Sequence, residues 1–290
     1  MSETSFKPRP DFERLRLARS ETRDLDRLSA HYAIETDLAS QLKASQRHER
    51  MSLYGQLYDR LFDSLPDHPQ RTGRKAIRTE VIAAQVALLE PFLTRETTYV
   101  EIGCGDALLT KSVASRVQTA IGVDVTGRLI GDDKPEGFQF ALSDGIHMPL
   151  PDGSADIVYS NQLMEHLHPE DAVSQLQEIH RILRKGGRYI CVTPSRLTGP
   201  HDISVYFGYE PTGFHMREYD YRSLSAAFRT VGFEHLSALV MAKGKRALVP
   251  AKLAELAETA IEAMPRALRG KLPTSNPAIV LAGVTLVGRK

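Results

Sequence analysis

Apolar residues along this chain recur with two periods, and the points where one gives way to the other divide it into elements. From Asp24 to about Ser64 the period is helical. Leu25, Leu28, Tyr32, Leu38 and Leu42 mark one stretch, and Met51, Tyr54, Leu57, Tyr58, Leu61 and Phe62 mark a second. Pro66-Asp67-His68-Pro69 interrupts the pattern, and Ala76 to Leu93 predicts another helix. After that, short β-branched and aromatic runs alternate with helical ones. Thr97 to Ile102, Thr119 to Val123, Phe138 to Leu142, Ala155 to Asn161 and Arg188 to Thr193 read as five strands. Helices are predicted from Ala107 to Val117, from Asp171 to Leu183 and from Tyr221 to Val231. Only the gap from Asp124 to Phe138, with Gly127, Gly131, Asp132 and Asp133, is too short and broken for a full crossover helix.

Phe233 to Met241 and Ala278 to Val287 predict two further strands, paired antiparallel. Between them, Lys243 to Asn276 carries Leu253, Leu256, Ala260, Ile261, Met264 and Leu268 at helical spacing, with Lys243, Lys245, Arg246, Arg266, Arg269 and Lys271 at its ends. A helix covering the substrate mouth or a subunit partner is the preferred reading, ahead of a membrane-surface helix. Strand–helix alternation of this kind requires a doubly wound, mainly parallel α/β sheet, here of seven strands, with helices on both faces. Residues 1–70 form an added N-terminal helical segment, and residues 71–290 form the α/β domain with a helical insertion at about 243–276.

The chemistry concentrates where the first strand ends. Gly103 and Gly105 permit a tight turn and a close approach to the backbone, and the following helix aims its free N–H groups at that turn. Asp124 closes the next strand, where a carboxylate can accept both ribose hydroxyls. A dinucleotide site shares this logic, but its G-x-G-x-x-G/A fingerprint would need a small residue where Leu108 stands, and it has no counterpart of Glu101.

The string Val100-Glu101-Ile102-Gly103-Cys104-Gly105 instead resembles motif I of the class I S-adenosylmethionine-dependent methyltransferases, commonly E/D-x-G-x-G-x-G, with Ala107 in place of the third glycine. Ser143-Asp144-Gly145 after the third strand and Ser160-Asn161-Gln162 after the fourth follow in the family's order, the latter in its small-molecule form. The resemblance covers roughly residues 75 to 241, and Ala278 to Val287 besides. It implies a Rossmann-like methyltransferase fold and S-adenosyl-L-methionine as cofactor. It further implies Glu101, Gly103, Cys104 and Gly105 at the methionine end, Asp124 and Val125 at the ribose, Asp144 and Gly145 at the adenine, and Asn161 near the transferring methyl.

A catalytic base is optional in such chemistry and depends on the acceptor. His166, after the fourth strand, is one candidate; His201 and His215, in the long aperiodic segment Pro194 to Tyr219, are the others. An orienting pair of His201 with Asp202, or His215 as base, is weighed equally against ordinary structural hydrogen bonding. His168-Pro169-Glu170 reads as a helix cap. The stripe Tyr54, Tyr58, Phe62 reads first as core packing and second as a lid over the pocket, and Tyr206, Phe207 and Tyr209 as an acceptor wall or lid packing. No metal is expected, because nothing in the spacing of His201, Asp202 and His215 enforces a ligand set.

Composition narrows the partners. With 290 residues and 42% hydrophobic content, the chain can bury one large core. A net charge of +1 gives no broad field for nucleic acid or an anionic surface, and the arginines from Arg14 to Arg27 are offset by neighbouring acids. The two cysteines, Cys104 and Cys191, make neither a disulfide framework nor a zinc site, and no apolar run approaches eighteen residues. The expectation is a cytoplasmic enzyme with a small-molecule acceptor, no nucleic acid, no membrane span and a possible homodimer. Nucleic-acid or protein methylation, nicotinamide redox chemistry and a non-catalytic cofactor scaffold are the alternatives.

Overall fold

The computed structural model describes residues 6–68, 75–242, 245–264 and 283–290. Its helices are α1 (Phe12–Ala18), α2 (Leu25–Ala44), α3 (Arg47–Ser64), α4 (Lys75–Leu89), α5 (Leu108–Ala114), α6 (Pro169–Ile182), α7 (Tyr221–Thr230) and α8 (Ala251–Glu262). Its strands are β1 (Thr98–Ile102), β2 (Thr119–Asp124), β3 (Phe138–Leu142), β4 (Ala155–Asn161), β5 (Leu183–Thr193), β6 (Glu234–Ala242), β7 (Lys245–Pro250) and β8 (Val284–Arg289). One sheet of order β3-β2-β1-β4-β5-β8-β6-β7 contains them all. β1 to β5 pair in parallel, and β8, β6 and β7 run antiparallel to their neighbours.

The sheet has eight strands where the sequence predicts seven. The extra one is β7, whose residues Lys245–Pro250 stand at the start of the expected helical insertion. Six residues are too few to display a period, and they form the edge of the sheet through the register Ala238–Val249 and Leu239–Leu248 with β6. Pro250 ends that edge and caps α8, so strand and helix meet at one residue. The remainder of the expected insertion, with Leu268 and the cationic residues Arg266, Arg269 and Lys271, lies outside the described residues, as does the start of the last predicted strand at Ala278. β5 begins at Leu183, five residues before its predicted start, because Arg184 to Gly187 continue the strand through a register shift opposite Ala155 and Ile157 instead of forming a separate turn.

Strand alternation sorts side chains onto two faces. Val100, Val158 and Cys191 join α6, α7 and the inner sides of α2 and α3 in one buried cluster. Tyr99, Ile157, Tyr159 and Ile190 face the other way, against Leu109, Val113 and Leu89 of α4 and α5. Between Asp124 and Phe138 there is no helix, as the glycines foretold.

The N-terminal helices share the main core. Leu38, Leu42, Leu57 and Leu61 are almost fully buried within it. A charged contact locks them there. Arg50 of α3, only 2% exposed, donates from Nε to Asp171 Oδ2 at 2.6 Å and from Nη2 to Asp171 Oδ1 at 3.0 Å. The same guanidinium reaches Glu170 at 2.6 Å and the Ser45 carbonyl at 2.9 Å. The Tyr54 hydroxyl donates to Asp171 at 2.8 Å and accepts the His168 amide at 2.9 Å. Asp171 lies in the first turn of α6, where a helix favours negative charge, and His168 and Pro169 open that helix as cap and first residue. No described helix is long and apolar enough to cross a membrane.

Removing one member of a buried ion pair strands the other without water. Asp171→Ala is therefore expected to lower unfolding stability by about 3–5 kcal/mol in urea titration, whereas replacing both partners, as Arg50→Met with Asp171→Leu, costs much less.

Candidate active site

Gly103 and Gly105 take left-handed backbone angles, φ +70° and +56°, and turn the chain from β1 toward α5. Ala107, in the position of the motif's third glycine, is also left-handed at φ 56° and fully buried. This angle starts α5 at Leu108, one residue after its predicted start, and the helix ends at Ala114, three residues before its predicted end. Asp124 at the tip of β2 secures the loop. Its Oδ2 accepts the Gly105 amide at 2.8 Å and its Oδ1 accepts the Thr126 amide at 3.2 Å. Burial pushes its acidity down, raising the pKa, against these backbone bonds. Each oxygen keeps a second lone pair for a ligand.

A cleft opens beyond these strand tips, at the place where the sheet order reverses between β1 and β4. Gly103, Gly105, Asp124, Val125 and Thr126 form one wall, and Ser143, Gly145, Met148 and Gln175 form its far end. Gln162, Leu163 and His166 line the side after β4, and Tyr54, Tyr58 and Phe62 of α3 form the roof. The aromatic stripe is thus core and roof at once, so the two sequence readings of it hold together. Including open solvent, the cleft spans about 760 Å³.

Five of the residues taken from the resemblance line this cleft: Gly103, Gly105, Asp124, Val125 and Gly145. The other four do not. Cys104 is buried with its Sγ turned to the Cα of Gly122. Glu101 is buried behind the loop, where Thr110 of α5 donates to its carboxylate, and burial raises its pKa to about 8. Asp144 folds its own loop, accepting the Ile146 and His147 amides at 2.8 and 2.7 Å and pairing with the His147 ring at 2.7 Å. Asn161 ends β4, and the next residue, Gln162 at φ 56°, reaches the cleft in its stead. Short strand-end motifs identify a loop, but not which of its adjacent side chains turns inward.

Beside the cleft lies a second, polar cavity of about 710 Å³ including open solvent. Arg19, Arg23, His31, Glu35, His68, His201, Asp202 and His215 line it, and His166 belongs to both spaces. All three candidate histidines therefore border the same chamber, although 49 residues separate the first from the last. His166 gives its Nδ1 proton to the Phe214 carbonyl at 2.9 Å, and burial followed by the nearby His215 lowers its pKa to about 3. It is neutral, with Nε2 as an acceptor. His215 pairs through Nδ1 with Glu218 at 2.9 Å; burial would lower its pKa, but that bond and the carboxylates of Glu165 and Asp202 raise it. His201 faces the Ser195 carbonyl at 3.1 Å and the Thr198 hydroxyl at 3.0 Å. Of the two readings weighed for His201 and Asp202, the structure shows structural hydrogen bonding and not the orienting pair. Asp202 instead caps the turn at Ile203–Tyr206 and accepts the Gly213 amide at 2.8 Å, because an aspartate before a helical turn satisfies free backbone amides first.

Sequence reasoning missed Glu165. It is fully buried, its Oε2 accepts the Thr193 hydroxyl at 2.9 Å, its Oε1 has no partner, and burial raises its pKa to about 7. Its adjacency to His166 was the available signal. Glu35, His31 and Arg23 were also missed, since they lie some 130 to 190 residues from His166, His201 and His215 in the chain.

Residues 100–191 match the family model described as a methyltransferase domain. Over these residues the chain carries a methyltransferase domain. It is 30% identical over 137 residues to a probable S-adenosylmethionine-dependent methyltransferase of Mycolicibacterium smegmatis, covering 47% of this chain and 51% of that one. It is 25% identical over 176 residues to a demethylmenaquinone methyltransferase of Staphylococcus epidermidis, covering 58% and 68%. The chain thus spans about half the length of the first of these relatives. A methyltransferase of Archaeoglobus fulgidus shares the fold at a TM-score of 0.50 and 19% identity, over 73% of this chain and 94% of that one.

Two outcomes test this wall of the site. Ala107→Gly relieves a left-handed alanine and is expected to raise stability by about 1 kcal/mol in urea unfolding. Glu101 holds its proton in the folded chain up to about pH 8, whereas an unfolded glutamate releases it near its usual 4.5. Unfolding therefore releases a proton between these values, and stability falls as pH rises through that window. Glu101→Gln is expected to flatten that part of the stability–pH curve, read by urea titration from pH 5 to 9.

Proposed function

We propose that this chain transfers a methyl group from S-adenosylmethionine to an oxygen, nitrogen or carbon of a small polar metabolite held in the second cavity. The observation that carries the reading is the sharing of His166 between the two spaces. A methyl leaving the strand-tip cleft toward His166 enters the polar chamber directly.

In this reading the amides around Gly103 and Gly105 hold the methionine end, and the free lone pairs of Asp124 take the ribose hydroxyls. The adenine sits toward Ser143, Gly145 and Met148. Gln175 supports that placement: its Nε2 donates to the Gly145 carbonyl at 2.7 Å, and its buried Oε1 has no partner and suits an exocyclic amine. Asp144 then acts by shaping the loop, and Glu101 by bracing α5 through Thr110. The sulfonium-to-carbon bond breaks as the acceptor-to-carbon bond forms, the acceptor gives up its proton, and S-adenosylhomocysteine leaves. Positioning supplies most of the rate for such a displacement, on the order of 7–11 kcal/mol, and the roof of Tyr58 and Phe62 keeps water from the sulfonium.

The acceptor's class follows from the lining. Two arginines, five histidines and two carboxylates suit a molecule with hydroxyl or anionic groups, and the relative named for demethylmenaquinone supports a small acceptor. The chamber lies between the N-terminal helices and the 201–215 loop, which suits a small molecule better than a polymer. Buried reduced thiols at Cys104 and Cys191 support a cytoplasmic setting.

Calorimetry with S-adenosylhomocysteine is expected to give one site per chain, and Asp124→Asn to weaken it at least about ten-fold, since a donor amide then faces backbone N–H groups. Labelled S-adenosylmethionine offered with metabolite fractions should label a small product. No binding of either nucleoside at millimolar concentration overturns the reading, and label retained on RNA or protein transfers it to a polymer.

A further inference from the structure

Two trios of side chains at the second cavity bring metal-ligating atoms within 4.8 Å of one another: His31, Glu35 and His68, which line it, and His166 and His215, which line it, with Glu165 buried beside them. Their hydrogen bonding separates them. In the first trio the His31 Nε2 bonds Glu35 Oε1 at 2.8 Å, its Nδ1 meets Arg23 at 2.8 Å, and Glu35 Oε2 accepts the Phe214 amide at 3.0 Å. Those groups satisfy each other.

The second trio is built the other way. Every member has one polar atom engaged by a neighbour and a second left over. Thr193 holds Oε2 of Glu165, leaving Oε1 fully buried and without a partner. The Phe214 carbonyl holds Nδ1 of His166, and the Glu218 carboxylate holds Nδ1 of His215, leaving both Nε2 atoms without a hydrogen-bond partner. Glu218 is itself fixed, accepting the His201 amide at 2.6 Å. Backbone bonds hold the two segments together: Met216 and Arg217 amides both donate to the Glu165 carbonyl, at 2.7 and 3.2 Å. The histidine rings lie 4.8 Å apart at 84°, a packing contact that accounts for their positions. It does not account for a carboxylate oxygen left bare in the interior, where such groups are almost always paired.

We infer that Glu165, His166 and His215 form a mononuclear site for a divalent transition-metal ion, with its open coordination position facing the second cavity. Two imidazoles and one carboxylate are the donor set of open catalytic zinc and non-haem iron sites. A carbonyl or carboxylate on the remote nitrogen of each histidine is the usual support for a metal-bound ring. The surroundings are acidic as well, with Glu218, Asp202 and Glu35 set against Arg23 and Arg19. The ion's use rests on the methyl-transfer reading: it would hold the acceptor's hydroxyl or amine beside the sulfonium and acidify it. The site itself does not depend on that reading.

The test uses the full chain stripped with a chelator and titrated with Co²⁺ alone, without nucleoside, followed by visible d–d absorption and calorimetry. One Co²⁺ per chain is expected. Glu165→Gln, His166→Asn and His215→Gln should each weaken it at least about ten-fold, whereas His31→Gln should leave the stoichiometry at one. A cooperative urea-unfolding transition, measured on the same samples, reports that each variant is folded; if one fails to fold, the remaining two decide. Absence of stoichiometric Co²⁺ in the parent chain, or binding unmoved by the three substitutions, overturns the site. Cobalt binding lost while nucleoside binding persists supports it. Nucleoside binding without cobalt removes the ion and leaves the methyltransferase, and cobalt without nucleoside does the reverse.

Discussion

The contact between Arg50 and Asp171 is the constraint on which the two-chambered site depends. The strands and α6 could form a sheet domain without it, but the cleft would then lack a roof. Arg50 brings α3 down onto the first turn of α6, and Tyr54, one helical turn further along, shares the same carboxylate. From there the helix carries Tyr58 and Phe62 over the strand tips. Gly145 marks how near that approach is, since a Cβ at this position would lie 3.0 Å from the Tyr54 ring. A buried ion pair is a costly way to join two elements when apolar packing would suffice. What it adds is a single allowed placement, because the guanidinium fork and the carboxylate match in only one register.

That placement also produces the second chamber. α2 packs on α3 and sends His31 and Glu35 toward the segment 213–215, where the Phe214 amide bonds Glu35 and the Phe214 carbonyl bonds His166. One residue in an aperiodic loop thus links the N-terminal helices to the turn after β4. The strand-tip cleft is largely backbone and apolar, whereas the chamber is crowded with titratable groups. Desolvation acts on both, and it drives Glu165 and His166 in opposite directions, each toward its neutral form. Such a cluster is expensive to bury, and its presence beside the cleft is better understood as chemistry than as a contribution to stability.

Much of the fold was legible because its signals are local. The glycine turn, the strand runs from Thr97 to Thr193 and the cap at His168 are each written within about ten consecutive residues, and the helix-free gap after Asp124 within fifteen. The edge strand β7 was not legible, because Lys245–Pro250 is too short to declare a period and adjoins a strongly helical stretch. At the cleft, the loop residues Gly103, Gly105, Asp124 and Gly145 were found, but side-chain direction within each loop was not. Asp144 satisfies its own backbone, while Gly145 beside it faces the cleft; nothing in the order Ser-Asp-Gly states this.

The chamber was legible only in part, and for a different reason. His166, His201 and His215 stood out as chemistry-bearing residues, yet sequence could not say that they meet, nor that Glu165 matters more than Asp202. Asp202 looks functional beside His201, but it spends both oxygens on backbone and hydroxyl donors. Glu165 looks like a routine helix-start residue, but it is carried inside by the turn after β4 with one oxygen unmatched. The difference lies in where each carboxylate's donors are. Those of Asp202 are two and eleven residues away in its own loop, so local folding satisfies it. The one side-chain donor of Glu165 comes from β5, and its other oxygen has no partner. A group that folding alone leaves unsatisfied, held rigidly beside a methyl-donor cleft, is where a ligand has the most to contribute.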